Sequence, residues 1–172
     1  MTLVEDLKEI KYRVLPPISS TIRGIIPMAD VFELYRAHWP RASIYVSDTD
    51  FEITAISELR RFIAWSLVDL YPYVVRNGVE VHDCDDFAKA LAGEFAKYPD
   101  WSGYWVTDMW IAAKDGSWAH AICTAIAWES FDNRVPRVYY IEPQSDHEIA
   151  PETVEATNLL LIPGRKIKFD AL

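Results

Sequence analysis

Along this chain the spacing of apolar residues changes near the middle, from every third or fourth position to every second. Residues 1–10 read as a short acidic amphipathic helix with Leu3, Leu7 and Ile10 on one side. Leu15-Pro16-Pro17-Ile18-Ser19-Ser20 reads as a loop, because paired prolines resist both helix and ladder bonding. Met28–His38 is a second helical segment, with Val31, Leu34 and Tyr35 apolar and Pro40 as its stop. Ser43-Ile44-Tyr45-Val46 suits a short strand before a polar turn. From about Ala55 to Leu70, Ile56, Leu59, Ile63, Leu67 and Leu70 follow helical spacing, and Pro72 limits extension. Phe62 and Trp65 belong to its core side. Asn77-Gly78 is a turn signal leading to a further helix, in which Phe87, Leu91 and Phe95 recur at spacing four as far as Lys97.

After that the period becomes two. Tyr104–Ala113 is rich in aromatic and β-branched residues, and Lys114-Asp115-Gly116-Ser117 is a hairpin loop signal. Trp118–Trp128 follows as a strand. His120, Ile122, Thr124, Ile126 and Trp128 share one face, and Ala119, Ala121, Cys123, Ala125 and Ala127 the other. A face made of alanines predicts close packing by another element, a helix. Val135–Ile141 is the next strand, and Leu159–Ile162 with Lys166–Phe169 reads as a last hairpin around Pro163-Gly164. Helices first and an antiparallel sheet afterwards make an α+β layout. The expectation is one domain over residues 1–172. Its residues 1–80 are mostly helical and pack on a sheet formed, with one helix, by residues 81–172.

Composition narrows the choice of partners. Of 172 residues, 51% are hydrophobic, with 7 Trp, 9 Tyr and 7 Phe, which marks a globular chain. A net charge of −9 argues against nucleic acid and anionic membrane as partners, and suits the gathering of divalent cations. The N-terminal residues show no signal-peptide pattern, and no apolar run approaches the ~20 residues needed to cross a bilayer. The expectation is a cytoplasmic protein in which Cys84 and Cys123 are free thiols.

Candidate chemistry starts at Val81-His82-Asp83-Cys84-Asp85-Asp86-Phe87-Ala88. Asp83 suits an N-cap, and Asp86 three residues on completes a capping-box-like start. Cys84 then takes the first helical position, where free N–H groups and the helix dipole favour an anion such as a thiolate. The plain alternative is a capped helix with a buried cysteine. Neighbouring carboxylates raise a thiol's pKa, so an active thiolate would need a cation beside it. His120, early on its strand, and Glu142, at the end of the next one, can stand side by side. With Cys84 they supply a nucleophile, a base and an orienting acceptor. Cys123, mid-strand on the alanine face, reads as core. His38 reads as a helix-end residue and His147 as a surface residue.

This order of residues resembles the papain-like and transglutaminase-like superfamily. Asp83-Cys84-Asp85-Asp86-Phe87-Ala88 is similar to the helix start of bacterial transglutaminase-like cysteine proteinases. Cys84-Asp85-Asp86, His120-Ala121 and Ile141-Glu142-Pro143-Gln144-Ser145-Asp146 together resemble the C-terminal protease domain of Marasmius-type fungal agglutinins. The resemblance covers about residues 81–146. It implies a cysteine peptidase or amide hydrolase acting on a peptide or protein substrate, with Cys84 as nucleophile, His120 as base and Glu142 as orienting carboxylate. It also implies calcium or manganese held by Asp86, Gln144 and Asp146. The fungal relatives carry a sugar-binding β-trefoil before the protease domain, whereas the first eighty residues here read as helical, so lectin activity is not implied. Gln144 is the only glutamine and follows the cysteine, so an oxyanion-hole donor falls to Asn77, His82 or a lone N–H.

Apart from any resemblance, Asp83, Asp85, Asp86, Glu142, Gln144 and Asp146 offer the oxygens that hard cations take. A zinc site on Cys84, His82 and His120 is a further arrangement, though the spacing matches no zinc motif. Two functional alternatives stand beside the peptidase. One is a catalytically silent binding or structural module on the same fold; the other is a transglutaminase-like acyl transferase.

Overall fold

The computed structural model describes residues 15–46 and 48–163. Its centre is a six-stranded sheet built around the alanine-rich segment, strand β7 (Ala119–Trp128). The strands in chain order are β1 (Gly24–Pro27), β2 (Ile44–Tyr45), β3 (Asp50–Ile53), β4 (Val74–Arg76), β5 (Val79–His82), β6 (Val106–Ala112), β7, β8 (Pro136–Glu142), β9 (His147–Ile149) and β10 (Asn158–Pro163). The helices are α1 (Met28–Arg36), α2 (Ile56–Ser66), α3 (Cys84–Lys97) and α4 (Pro151–Glu155), with a 3-10 turn at Val68–Leu70. The main sheet runs β2-β10-β6-β7-β8-β9, while β1 with β3 and β4 with β5 make two separate ribbons.

The expectation of a helical N-terminal part packed on a sheet is corrected here. Residues 15–82 contribute five strands beside two helices, and β2 joins the main sheet parallel to β10. Strands of two to four residues are too short to show a period, and Gly24 and Pro27 bound one of them. Gly24 is there because β1 passes close to Trp128; a Cβ on it would lie 2.7 Å from the indole. The helix expected over residues 1–10 and the strand over 166–169 lie outside the described residues.

Two cores result, one on each face of the sheet. Ala121, Cys123, Ala125 and Ala127 of β7 face α3 and α2, whose Phe87, Ala88, Leu91, Phe95, Leu59 and Phe62 fill the space. The alanines let α3 come close enough for Cys123 Sγ to donate to the Ala88 carbonyl at 3.2 Å. Ile122 and Ile126 face the opposite core, with Val31, Tyr35, Phe51, Trp105 and Met109. That core holds one buried polar chain: Trp105 Nε1 donates to Tyr35 Oη at 2.8 Å, and Tyr35 pairs with Thr124 Oγ1 at 2.7 Å. Partners on both sides make this polar group affordable at full burial. Helix α2 ends at Leu67 in the left-handed conformation (φ 56°), which turns the chain into the 3-10 segment before Pro72.

Candidate functional site

The site is built where α3 and β7 begin and β8 ends. Asp83 caps α3 by accepting from the Asp85 amide, and Asp86 Oδ2 accepts from the Asp83 amide at 3.3 Å, completing a capping box. This cap fixes Cys84 at the first helical position, half-buried against the core of α3. The β7–β8 ladder ends at the Cys123–Ile141 pair. Beyond that end, the Ala121 amide donates to Cys84 Sγ at 3.4 Å, so the thiol sits against the backbone next to His120. On the alternate positions of the same two strands, His120 Nε2 meets Glu142 Oε2 at 2.7 Å. Glu142 Oε1 accepts from the Gln144 amide at 3.2 Å, which ties the carboxylate to its own turn. His120 and Glu142 are both partly exposed, at 30% and 23% for their side chains.

The surroundings of Cys84 disfavour its thiolate. Burial pushes the Cys84 thiol above its ordinary range, the Ala121 amide opposes this, and the Asp83 and Asp85 carboxylates add to the rise. The helix terminus alone does not reverse that balance. Lys89 pairs with Asp85, so this cation is committed to the carboxylate. Cys123 is fully buried, and burial pushes its thiol well above the usual range.

The carboxylates gathered within 4.8 Å of one another are Asp83, Asp85 and Asp86. Among the described residues that group includes neither His82 nor His120, so the zinc arrangement with Cys84 is not formed. Asp146 takes the left-handed conformation (φ 57°) in the turn after Glu142, and its Oδ1 is buried without a partner. Burial, followed by the nearby Asp69, pushes its carboxyl up to about 7. It lines a cavity of about 440 Å3 with Arg60, Ile63, Ala64, Ile141, His147 and Glu148. His38 pairs with Glu155 at 3.2 Å, and the His82 ring packs edge-on against Phe87 at 4.6 Å with Nδ1 unpartnered.

Several neighbours of the site had no signal in the sequence. The β4–β5 ribbon turns at Asn77 and Gly78, both at positive φ, and stands beside α3. Its Tyr73 hydroxyl donates to Glu80, and that bond, before lesser effects that include Cys84, lifts the phenol to about 12. The Asn-Gly pair announced this turn, but the flanking strands have three and four residues and show no period.

No family model matches the chain, and no curated protein matches it. Solved structures do. One is Polyporus squamosus lectin bound to the human-type influenza-binding epitope Neu5Aca2-6Galb1-4GlcNAc, with 19% identity, 81% of this chain and 49% of that chain covered, and a TM-score of 0.59. Another is a PSL1a–E64 complex, with 20% identity, 81% and 51% covered, and a TM-score of 0.60. The chain thus shares its fold with part of these proteins and spans about half of their length. The papain-like and transglutaminase-like assignment, and with it the Marasmius-type protease domain, is corrected by this result. These two structures are of a lectin, and neither is described as a cysteine protease or hydrolase. Three short motifs, around Cys84, His120 and Glu142, suggested a family that these two fold matches do not name.

Proposed function

We propose that this chain is a binding module whose ligand seat lies at the start of α3, beside Cys84 and the His120–Glu142 pair. The observation that carries the reading is the His120–Glu142 contact at 2.7 Å, with His120 next in the chain to Ala121, whose amide meets the half-buried Cys84 thiol. The likeness to lectin structures, one with a bound glycan and one in complex with E64, supports a ligand-binding role.

A second reading is favoured by the same contact. With Glu142 orienting His120, the imidazole could take the Cys84 proton, and the thiolate could then attack an acyl group of the bound ligand. Calcium or manganese on Asp86, Gln144 and Asp146 would supply the positive charge that three carboxylates beside Cys84 call for. The unpartnered Oδ1 of Asp146 fits such a role.

Alkylation by iodoacetamide separates the two readings. As a binding module, wild type labels slowly at Cys84 and Cys123 near pH 6, and Cys84 speeds up only as the pH rises past the range of an ordinary thiol. As a nucleophile site, Cys84 labels fast near pH 6, and His120→Ala slows it by roughly a hundredfold. Peptide mapping of the labelled protein reads both rates.

A further inference from the structure

A second concavity lies away from the cleft, where β8 and β9 pass the start of α2. Its volume is about 350 Å3, within the roughly 300–1,000 Å3 of small-molecule sites. Tyr139 lines it, with Arg60, Glu129, Arg137 and Glu148 around it. The four charges are already paired. Arg60 donates to Glu148 through Nε at 2.5 Å and Nη2 at 2.9 Å, and Arg137 meets Glu129 at 3.3 Å. Two guanidinium groups and two carboxylates leave the lining with no net charge. The Tyr139 phenol feels both pairs: burial raises it first, then Glu129 and Glu148 raise it while Arg137 and Arg60 lower it. Tyr139 thus shares one concavity with both pairs.

We propose that this concavity is a saccharide site that takes a neutral pyranose over the face of Tyr139. A charged ligand would have to break one pair to satisfy itself. A flat apolar ligand would strip water from both pairs without replacing it. Vicinal hydroxyls do neither, because each can donate to a carboxylate while accepting from a guanidinium. The C–H face of a pyranose then has an aromatic surface to lie on. Arg60 and Glu148 also line the 440 Å3 cavity that holds Asp146, so a second sugar unit could continue past the ion pair. This extends the binding-module reading to a second site, and it does not require the Cys84 cleft.

The test titrates methyl galactoside, methyl glucoside and lactose to tens of millimolar, following tyrosine and tryptophan emission and amide chemical shifts. At least one sugar gives a saturable response. Tyr139→Ala weakens it by about tenfold or more, while Tyr139→Phe retains it, as expected for stacking. Arg137→Ala, on the exposed rim, weakens it too and serves if Tyr139→Ala does not fold. Cys84→Ala leaves the response unchanged. No saturable response to any of the three sugars overturns the proposal. So does a response that survives both Tyr139→Ala and Arg137→Ala, or one that is lost in Cys84→Ala. That last result would place the sugar in the cleft and leave the binding-module reading standing.

Discussion

Phe62→Ala will destabilise the protein by about 3–5 kcal/mol, the usual cost of deleting a fully buried aromatic ring. Phe62 is 0% exposed and lies at the meeting point of α2, α3 and the segment after α3. Its ring centroid is 4.2 Å from Phe95, 4.7 Å from Trp101, 5.4 Å from Trp65 and 6.1 Å from Tyr98. Four rings held around one centre cannot all move inward, so a cavity remains and its cost adds to the lost transfer energy. In a chain of this size each kcal/mol corresponds to roughly 2–4 °C, so the melting temperature falls by about 6–20 °C. Urea unfolding should show the loss in the midpoint with an unchanged slope. A loss below about 1 kcal/mol would mean that this aromatic cluster does not anchor α3 to α2.

Asp146→Asn will raise stability at pH 8 and leave it unchanged at pH 4, measured with chelator present. In the folded protein, burial and then Asp69 push the Asp146 carboxyl up to about 7, whereas in the unfolded chain it ionises near the ordinary value of about 3.9. A folded-state pKa raised in this way contributes stability that is fully present below the unfolded value. That contribution is lost as the pH rises through about 7, because the unfolded chain gives up its proton first. Asparagine has no proton to give up and tolerates the left-handed conformation at this position (φ 57°). The gain at pH 8 should be about 1–2 kcal/mol after allowing for screening by solvent. Equal melting temperatures at pH 8 would mean that Asp146 ionises without penalty.

The sequence made the long elements visible and left the short ones out. Ile56, Leu59 and Ile63 announced α2, and Phe87, Leu91 and Phe95 announced α3, because each stripe spans several turns. The alanine face of β7 foretold a helix packed hard on it, and α3 is that helix. Strands of two to four residues, β1 to β5, carry too few positions for alternation to register, and this is why the first half looked helical. At the site, Asp83 and Asp86 declared the cap, and strand order placed His120 beside Glu142. The amide of Ala121 beside Cys84, the Asp69 carboxylate near Asp146 and the Arg60–Glu148 pair near Tyr139 join distant parts of the chain. No local pattern could have joined them. The family assignment failed for a related reason. Three short motifs in order describe the chemistry of a few side chains, and the fold that carries them is set by everything between.

Thermal melting with E64, the compound held by a structural neighbour, tests the ligand seat at Cys84 most directly. The measurement runs on wild type, Glu142→Ala and Cys84→Ala, with the intact mass of each recorded afterwards. A seat formed by Cys84, His120 and Glu142 predicts a saturable rise in the wild-type melting temperature, since a ligand bound only by the folded state stabilises it by mass action. That rise shrinks or vanishes in both variants. An unchanged mass identifies simple binding, and a single adduct on Cys84 identifies the nucleophile reading. Melting curves that E64 leaves unmoved in wild type, or moves equally in all three proteins, would contradict the account.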